Sequence, residues 1–355
     1  MVKDIEDLII VEIASVLAGP SVGMFFAELG SRVIKIEPKP VGGDVTRKWK
    51  LPAEDRSSSI SAYFSSVNYK KEYRLVDFNV EQELKDTIRT IATADILITN
   101  FKKGDDLKFK LDYKSLKKMN PNLIYGAING FGEDSDRVAY DLILQAESGF
   151  MSMNGTKDSA PIKMPVALID VLAGHQLKEG ILLALLNREK NGGAKVTVSL
   201  FDAAVSSLVN QASNYLMSGH IAEPLGSLHP NIAPYGEIFR TADERIITFA
   251  IGSQKQFKKL LSFFKLSELY VDPRFNENSS RVRNRAELSI ILSKSISCQN
   301  LSDILKFCHQ NFVPVAEIKN IKQVFESTAA KAMIRKENIA GIKTKRVSSI
   351  AFRTN

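Results

Sequence analysis

The chain has 355 residues, of which 44% are hydrophobic and 25% charged, with 12 prolines and 20 glycines; this excludes a disulfide-stapled mini-protein, a disordered chain and a collagen-like repeat. No uncharged apolar run approaches the roughly 18 residues of a membrane span, and the opening MVKDIEDLII carries acids where a signal peptide has bases, so a cytoplasmic protein with no membrane partner is expected. The net charge is +8, and seven bases against the single acid Glu337 place +6 of it in residues 331–355; with no helix-turn-helix, RRM or finger signature beside it, this tail reads as solvated surface, and nucleic acid is not expected as a partner.

In chain order, LIIVEIA (8–14) predicts a strand, a small-residue turn ends at Ala18-Gly19-Pro20, SVGMFFAELG (21–30) predicts a helix and RVIKIE (32–37) a second strand, a βαβ beginning. A helix over 80–93, the strand DILIT (95–99), a helix near 112–119 and the strand NLIYGAI (122–128) repeat the pattern. Then come a helix at 140–150, the apolar strand PVALID (165–170), a long helix over 171–189 and the strand AKVTVSL (194–200). Parallel strands with covering helices predict an α/β, doubly wound, Rossmann-like domain over 1–203. A connecting helix follows within 204–225, and EIFRT, RIITFAI and helices around 254–264, 284–296 and 300–310 predict a smaller α+β domain over 226–325. Residues 326–355 read as a charged, weakly periodic return segment.

Several chemistries lack their motifs. The two cysteines, Cys298 and Cys308, lie ten apart without CxxC spacing, and His175, His220, His229 and His309 form no HExxH or HxxxH pair, so no metal is expected. A GxGxxG after the first strand and a GxxxxGK[ST] are missing too, which removes the common nucleotide loops. The strongest local feature is Asp170, at a predicted strand-to-helix turn. A carboxylate there sits where open α/β sheets bind ligands, next to helix N-terminal N–H groups that favour its ionised form, and an ionised, positioned carboxylate can act as a nucleophile. Local pattern alone favours a plain helix cap over a nucleophile.

With these elements in place, the chain resembles the class III CoA-transferases, the CaiB/BaiF group. The matching stretches are VLAGP (16–20), AELGSRVIKIEPKPVGGDVTR (27–47), ADILITNFKKG (94–104), LDYKSLKKMNPNLIYGAINGFG (111–132) and YDLILQAESGFMSMNG (140–155). They continue through ALIDVLAG (167–174), ILLALLNREKNGGAKVTVSLFDA (181–203), LHPNIAPYGEIF (228–239) and DPRFNENSSRVRNRAEL (272–288). The resemblance implies an interlocked homodimer and a reaction that moves CoA from an acyl-CoA thioester to a carboxylic acid, with coenzyme A travelling as substrate. Asp170 falls on the position of the family's covalent nucleophile. Val16 and Ala18 would line the CoA-binding turn, Lys71 in the altered stretch NYKKEY would face CoA phosphates, Asn100 and Phe101 would contact the adenine and pantetheine region, and Lys108 stands where the family usually has arginine.

Departures from the resemblance bear on the reaction. Tyr140 precedes Asp141 where the family's racemases place a histidine base; a phenol is a poor base at neutral pH, so Tyr140 is expected to shape the acyl pocket instead. The glycine-run loop of oxalate-using members is missing from 219–236, which argues against formyl and oxalate substrates. The stretch KRVSSIAF (345–352) is followed by only three residues, from which weaker closure is expected. The alternatives are an acyl-CoA racemase or epimerase of the same family and a CoA-ester-binding member without efficient turnover.

Overall fold

The computed structural model describes residues 3–353. Six parallel strands, β1 (Ile9–Ile13), β2 (Arg32–Pro38), β3 (Lys71–Val76), β4 (Ile96–Thr99), β5 (Ile124–Asn129) and β6 (Lys195–Ser199), form one sheet in the order β3-β2-β1-β4-β5-β6. This is the dinucleotide-fold order, whose crevice opens beyond the carboxyl ends of β1 and β4 where the winding reverses. The register sets Ile10 opposite Val33 on one side and Ile96 on the other.

Alternation along these strands builds two cores. Ile10, Val33, Ile96 and Ile98 pack on one face with the helices Ala18–Glu28 and Leu168–Asn191. Val11, Ile13, Ile34, Ile36 and Leu97 pack on the other with Ile91 of Glu81–Ala92 and Leu116 of Tyr113–Lys117. Strands buried on both faces read as continuous apolar runs, which is why β1 and β2 are visible in sequence.

The chain divides into two compact units, and the division departs from the sequence-based boundaries. Residues 153–162 belong with Glu223–Lys331 although they fall inside the expected 1–203 domain; the Gly226 N–H donates to the Gly155 carbonyl at 2.7 Å within that unit. Residues 332–353, within the expected return segment, belong with the parallel sheet's unit and include the hairpin of β10 (Ile334–Ile339) and β11 (Ile342–Val347). The second unit holds the antiparallel sheet of β7 (Tyr235–Arg240), β8 (Ile246–Ala250) and β9 (Val315–Glu317), with the helices Gln254–Phe263, Arg285–Ile296 and Leu301–Gln310 around a core that includes Phe239, Phe249, Phe257 and Phe275.

Two further expectations change. The expected strand at 165–170 is not one: the edge beside β5 is taken by β6, and helix begins at Leu168 and runs unbroken to Asn191. The expected connecting helix is two helices, Leu200–Ser206 and Val209–Ser218, separated where Val209 takes a φ of 44°. Among the described residues no helix is long and apolar enough to cross a membrane.

Candidate active site

Asp170 lies in the first turn of the helix Leu168–Asn191, in line with Ile169, Ala173, Leu177 and Ile181 on its buried face. Its residue is 7% exposed, and no hydrogen bond from a described residue reaches its carboxylate. Burial, and then the Asp141 carboxylate, push its pKa up to about 7. The sequence reading expected helix N–H groups to hold it ionised; desolvation and a like charge work in the opposite direction here.

Asp141 is the structural partner of that helix. Ala167 at the cap offers no side-chain acceptor, and the Ile169 N–H donates instead to Asp141 Oδ1 at 2.8 Å. Gln145, fully buried, donates from Nε2 to Asp141 Oδ2 at 2.6 Å and accepts the Met164 N–H at 2.8 Å, so two residues of the helix Asp141–Glu147 hold the chain that leads into Asp170. Tyr140, immediately before that helix, is 54% exposed and makes no capping bond, so its ring is open to contact.

The turn after β1 is the second part of the site. Val16 has a φ of 73°, a left-handed conformation that costs a β-branched residue roughly 1–3 kcal/mol. Three side chains hold three successive residues: Lys35 Nζ donates to the Ala14 carbonyl at 2.6 Å, Asn100 receives the Ser15 N–H at 3.1 Å and donates to the Ser15 carbonyl at 3.0 Å, and the Val16 N–H points to both Asp44 carboxylate oxygens at 3.4 and 3.3 Å. Ala18 then starts the next helix as part of the core. Asn100 therefore sits at this turn, as the resemblance implies, with its amide committed to the backbone.

Beneath the turn lies a buried ionic cluster. Glu12 of β1 accepts from Lys35 at 2.9 Å and from Lys71 at 2.7 Å, and Lys35 also lies 3.1 Å from Asp44. The helix Ala18–Glu28 passes so close that a Cβ at Gly23 would stand 1.9 Å from Glu12 Oε2, so only glycine fits there. Lys71 does not face outward as the resemblance implied: its ammonium is enclosed by Glu12, the Pro20 carbonyl at 2.9 Å and Asn68 Oδ1 at 3.0 Å, and burial pushes its pKa down to about 8. All three of its donors are used, leaving none for a phosphate. Phe101 is half-buried and packs on the core of the opposite sheet face, whereas Lys108 is exposed, with its ammonium 4.7 Å over the Phe109 ring.

Tyr63, which sequence reasoning missed, links the two parts. Burial first, and then the charges of Asp170, Asp141 and Asp44, push its phenol up to about 12, and its ring meets Trp49 edge-on at 5.1 Å. Asp44, Asp141, Gln145 and Tyr63 gave no signal because their roles depend on partners distant in sequence. Among the described residues no group of three or more His, Cys, Asp or Glu side chains is placed to hold a metal ion.

Comparison with known proteins gives the family. The sequence profile of CoA-transferase family III matches residues 5–352. The succinate–glutarate CoA-transferase of Agrobacterium fabrum is 37% identical over 330 residues, 91% of this chain and 82% of that protein. The acetyl-CoA:oxalate CoA-transferase of Acetobacter aceti is 33% identical over 338 residues, 93% of this chain and 85% of that protein. The crystal structure of a CAIB/BAIF family protein from Brucella suis superposes with a TM-score of 0.87 at 36% identity, covering 99% of this chain and 93% of that one. The chain belongs to CoA-transferase family III.

Proposed function

We propose that this protein moves coenzyme A from an acyl-CoA thioester to a carboxylic acid, with the Asp170 carboxylate as covalent nucleophile. Family membership supports the overall reaction, and the observation that carries the choice of nucleophile is the buried Asp170 carboxyl, which receives no hydrogen bond from the described residues and lies next to Asp141. In its ionised form Asp170 attacks the thioester carbonyl; the C–S bond breaks, CoA leaves as thiolate and an acyl-aspartyl anhydride remains. The thiolate attacks the aspartyl carbonyl, expelling the first acid as carboxylate and leaving an aspartyl-CoA thioester. The acceptor carboxylate repeats the sequence in reverse, so the thioester's activation passes to the new acid and Asp170 is regenerated. A carboxylate that lacks hydrogen bonds is more nucleophilic than a solvated one, and enclosure keeps water from the anhydride.

The Val16–Ala18 turn, with Asn100 holding it, is the proposed acyl-CoA contact, Lys108 is the exposed cation left for a phosphate, and Tyr140 borders the acyl group. Lys71 is withdrawn from this set. The homodimer is also part of the proposal: Val209, Tyr215, Leu216 and Met217 of one helix and Leu183 and Leu186 of another are apolar and exposed, as side chains destined for a partner are.

The relatives' names direct the first assays to short dicarboxylic acids. Succinyl-CoA mixed with glutarate is expected to yield the new CoA ester in a ping-pong pattern, and Asp170→Ala is expected to lose at least about a thousandfold in kcat. A sequential pattern with activity retained in Asp170→Ala would refute this mechanism.

A further inference from the structure

We propose that Asp44 is a positioning residue for acyl-CoA binding: it holds the turn at Val16 in its left-handed conformation, and Lys35 holds Asp44. The inference rests on the reading that this turn contacts acyl-CoA.

Val16 is a β-branched residue with a φ of 73°, a conformation its own side chain disfavours, so something outside the turn must fix it. Asp44 is placed to do so. It is 2% exposed, and its carboxylate is the acceptor for the Val16 N–H. The same carboxylate takes the Thr46 N–H at 3.0 Å and the Thr46 hydroxyl at 2.8 Å, which fixes its rotamer, and Lys35 Nζ stands 3.1 Å away. Its backbone is fixed as well: the Asp44 N–H donates to Glu37 Oε2 at 2.7 Å, and Glu37 in turn receives Arg47 through two bonds at 2.7 and 2.6 Å. Lys35 spans the arrangement by reaching Glu12, Asp44 and the Ala14 carbonyl from one ammonium. The buried cluster therefore reaches the turn by two bonds, one onto Ala14 and one onto Val16, while Asn100 fixes Ser15 between them.

A cluster that only supported the sheet would need no contact with Val16. One that fixes a ligand-facing turn makes a specific prediction: the penalty for losing Asp44 depends on the conformational preference of residue 16, and glycine, which adopts positive φ freely, relieves it.

The test measures CoA binding by calorimetry in wild type, Asp44→Ala and the double variant Asp44→Ala/Val16→Gly, with hydrogen exchange over residues 14–20 with and without CoA. Asp44→Ala is expected to weaken CoA about tenfold, the usual effect of removing a charged hydrogen-bond acceptor, and Val16→Gly in the same chain is expected to recover most of that loss. If Asp44→Ala fails to fold, Asp44→Asn serves in the same cycle, with a smaller loss and the same recovery expected. If CoA fails to protect residues 14–20 in wild type, the reading of the turn fails. If it protects them and CoA affinity is unchanged by the loss of Asp44, or Val16→Gly recovers nothing, the positioning role of Asp44 is overturned.

Discussion

At the scale of single residues, Asp141 is tied to Asp170 in two ways: it caps the helix that carries it, and its charge disfavours the ionised Asp170 carboxylate. These effects separate under substitution. In Asp141→Asn the amide oxygen can still accept the Ile169 N–H, but the repulsion is gone. Because the proposed nucleophile must be ionised and the Asp170 pKa is raised to about 7, wild-type kcat/KM for acyl-CoA is expected to rise with pH through about 7 and level off above. Asp141→Asn is expected to move that limb down by about one pH unit with the plateau largely kept. A limb that stays in place would assign Asp170's shift to burial alone. The resemblance singled out Asp170 as the proposed nucleophile, but its environment was not legible in the sequence. Desolvation and a carboxylate 29 positions earlier in the chain are products of folding, and they reverse the ionisation that a helix N-terminus alone suggests. Lys71 shows the same limit: its charge is in the sequence, but the three oxygens around its ammonium come from residues 12, 20 and 68.

At the scale of elements, the legible strands are those buried on both faces. β3, KEYRLV, sits at the sheet edge with charges along it and carries no apolar run, so the sequence reading omitted it. PVALI misled because a short apolar run suits a strand or a buried helix start equally well; the spacing of Ile169, Ala173, Leu177 and Ile181 is the helical signal that decides it. The charged end of the chain is anchored more firmly than its composition suggests. Glu28, ending the helix Ala18–Glu28, pairs with Arg346 and accepts from the Ser349 N–H at 2.9 Å, the Ser349 hydroxyl at 2.9 Å and the Ile350 N–H at 3.1 Å. Burial opposes its ionisation, but Arg346 and the serine hydroxyls outweigh that and hold its carboxyl below the ordinary 4.5. Glu28→Ala is expected to cost about 3 kcal/mol in urea unfolding, since it leaves Arg346 buried and unpaired. The contribution is present above the unfolded-state pKa and is lost as pH falls through the lowered one, so wild type and variant should converge in acid. An equal gap at pH 3 and pH 7 would contradict this.

For the whole molecule, the α/β class with a Rossmann-like parallel sheet was readable from alternating apolar runs, while the strand order and the assignment of residues 153–162 to their unit were not, because they depend on contacts made across the sequence. The exposed apolar side chains of Val209–Ser218 predict a partner. Sedimentation at micromolar concentration is expected to give a dimer, and Leu216→Glu/Met217→Glu is expected to shift it to monomer; a monomeric wild type would remove the homodimer from the account. The central claim is that Asp170 becomes covalently acylated. Its most direct test is intact mass of wild type and Asp170→Ala after incubation with succinyl-CoA or acetyl-CoA and hydroxylamine, which cleaves anhydrides and activated thioesters and leaves a hydroxamate on the side chain. A hydroxamate mapped to Asp170 is expected in wild type and none in the variant. An unmodified Asp170 in a protein that still turns over its donor, or the same modification persisting in Asp170→Ala, would contradict it.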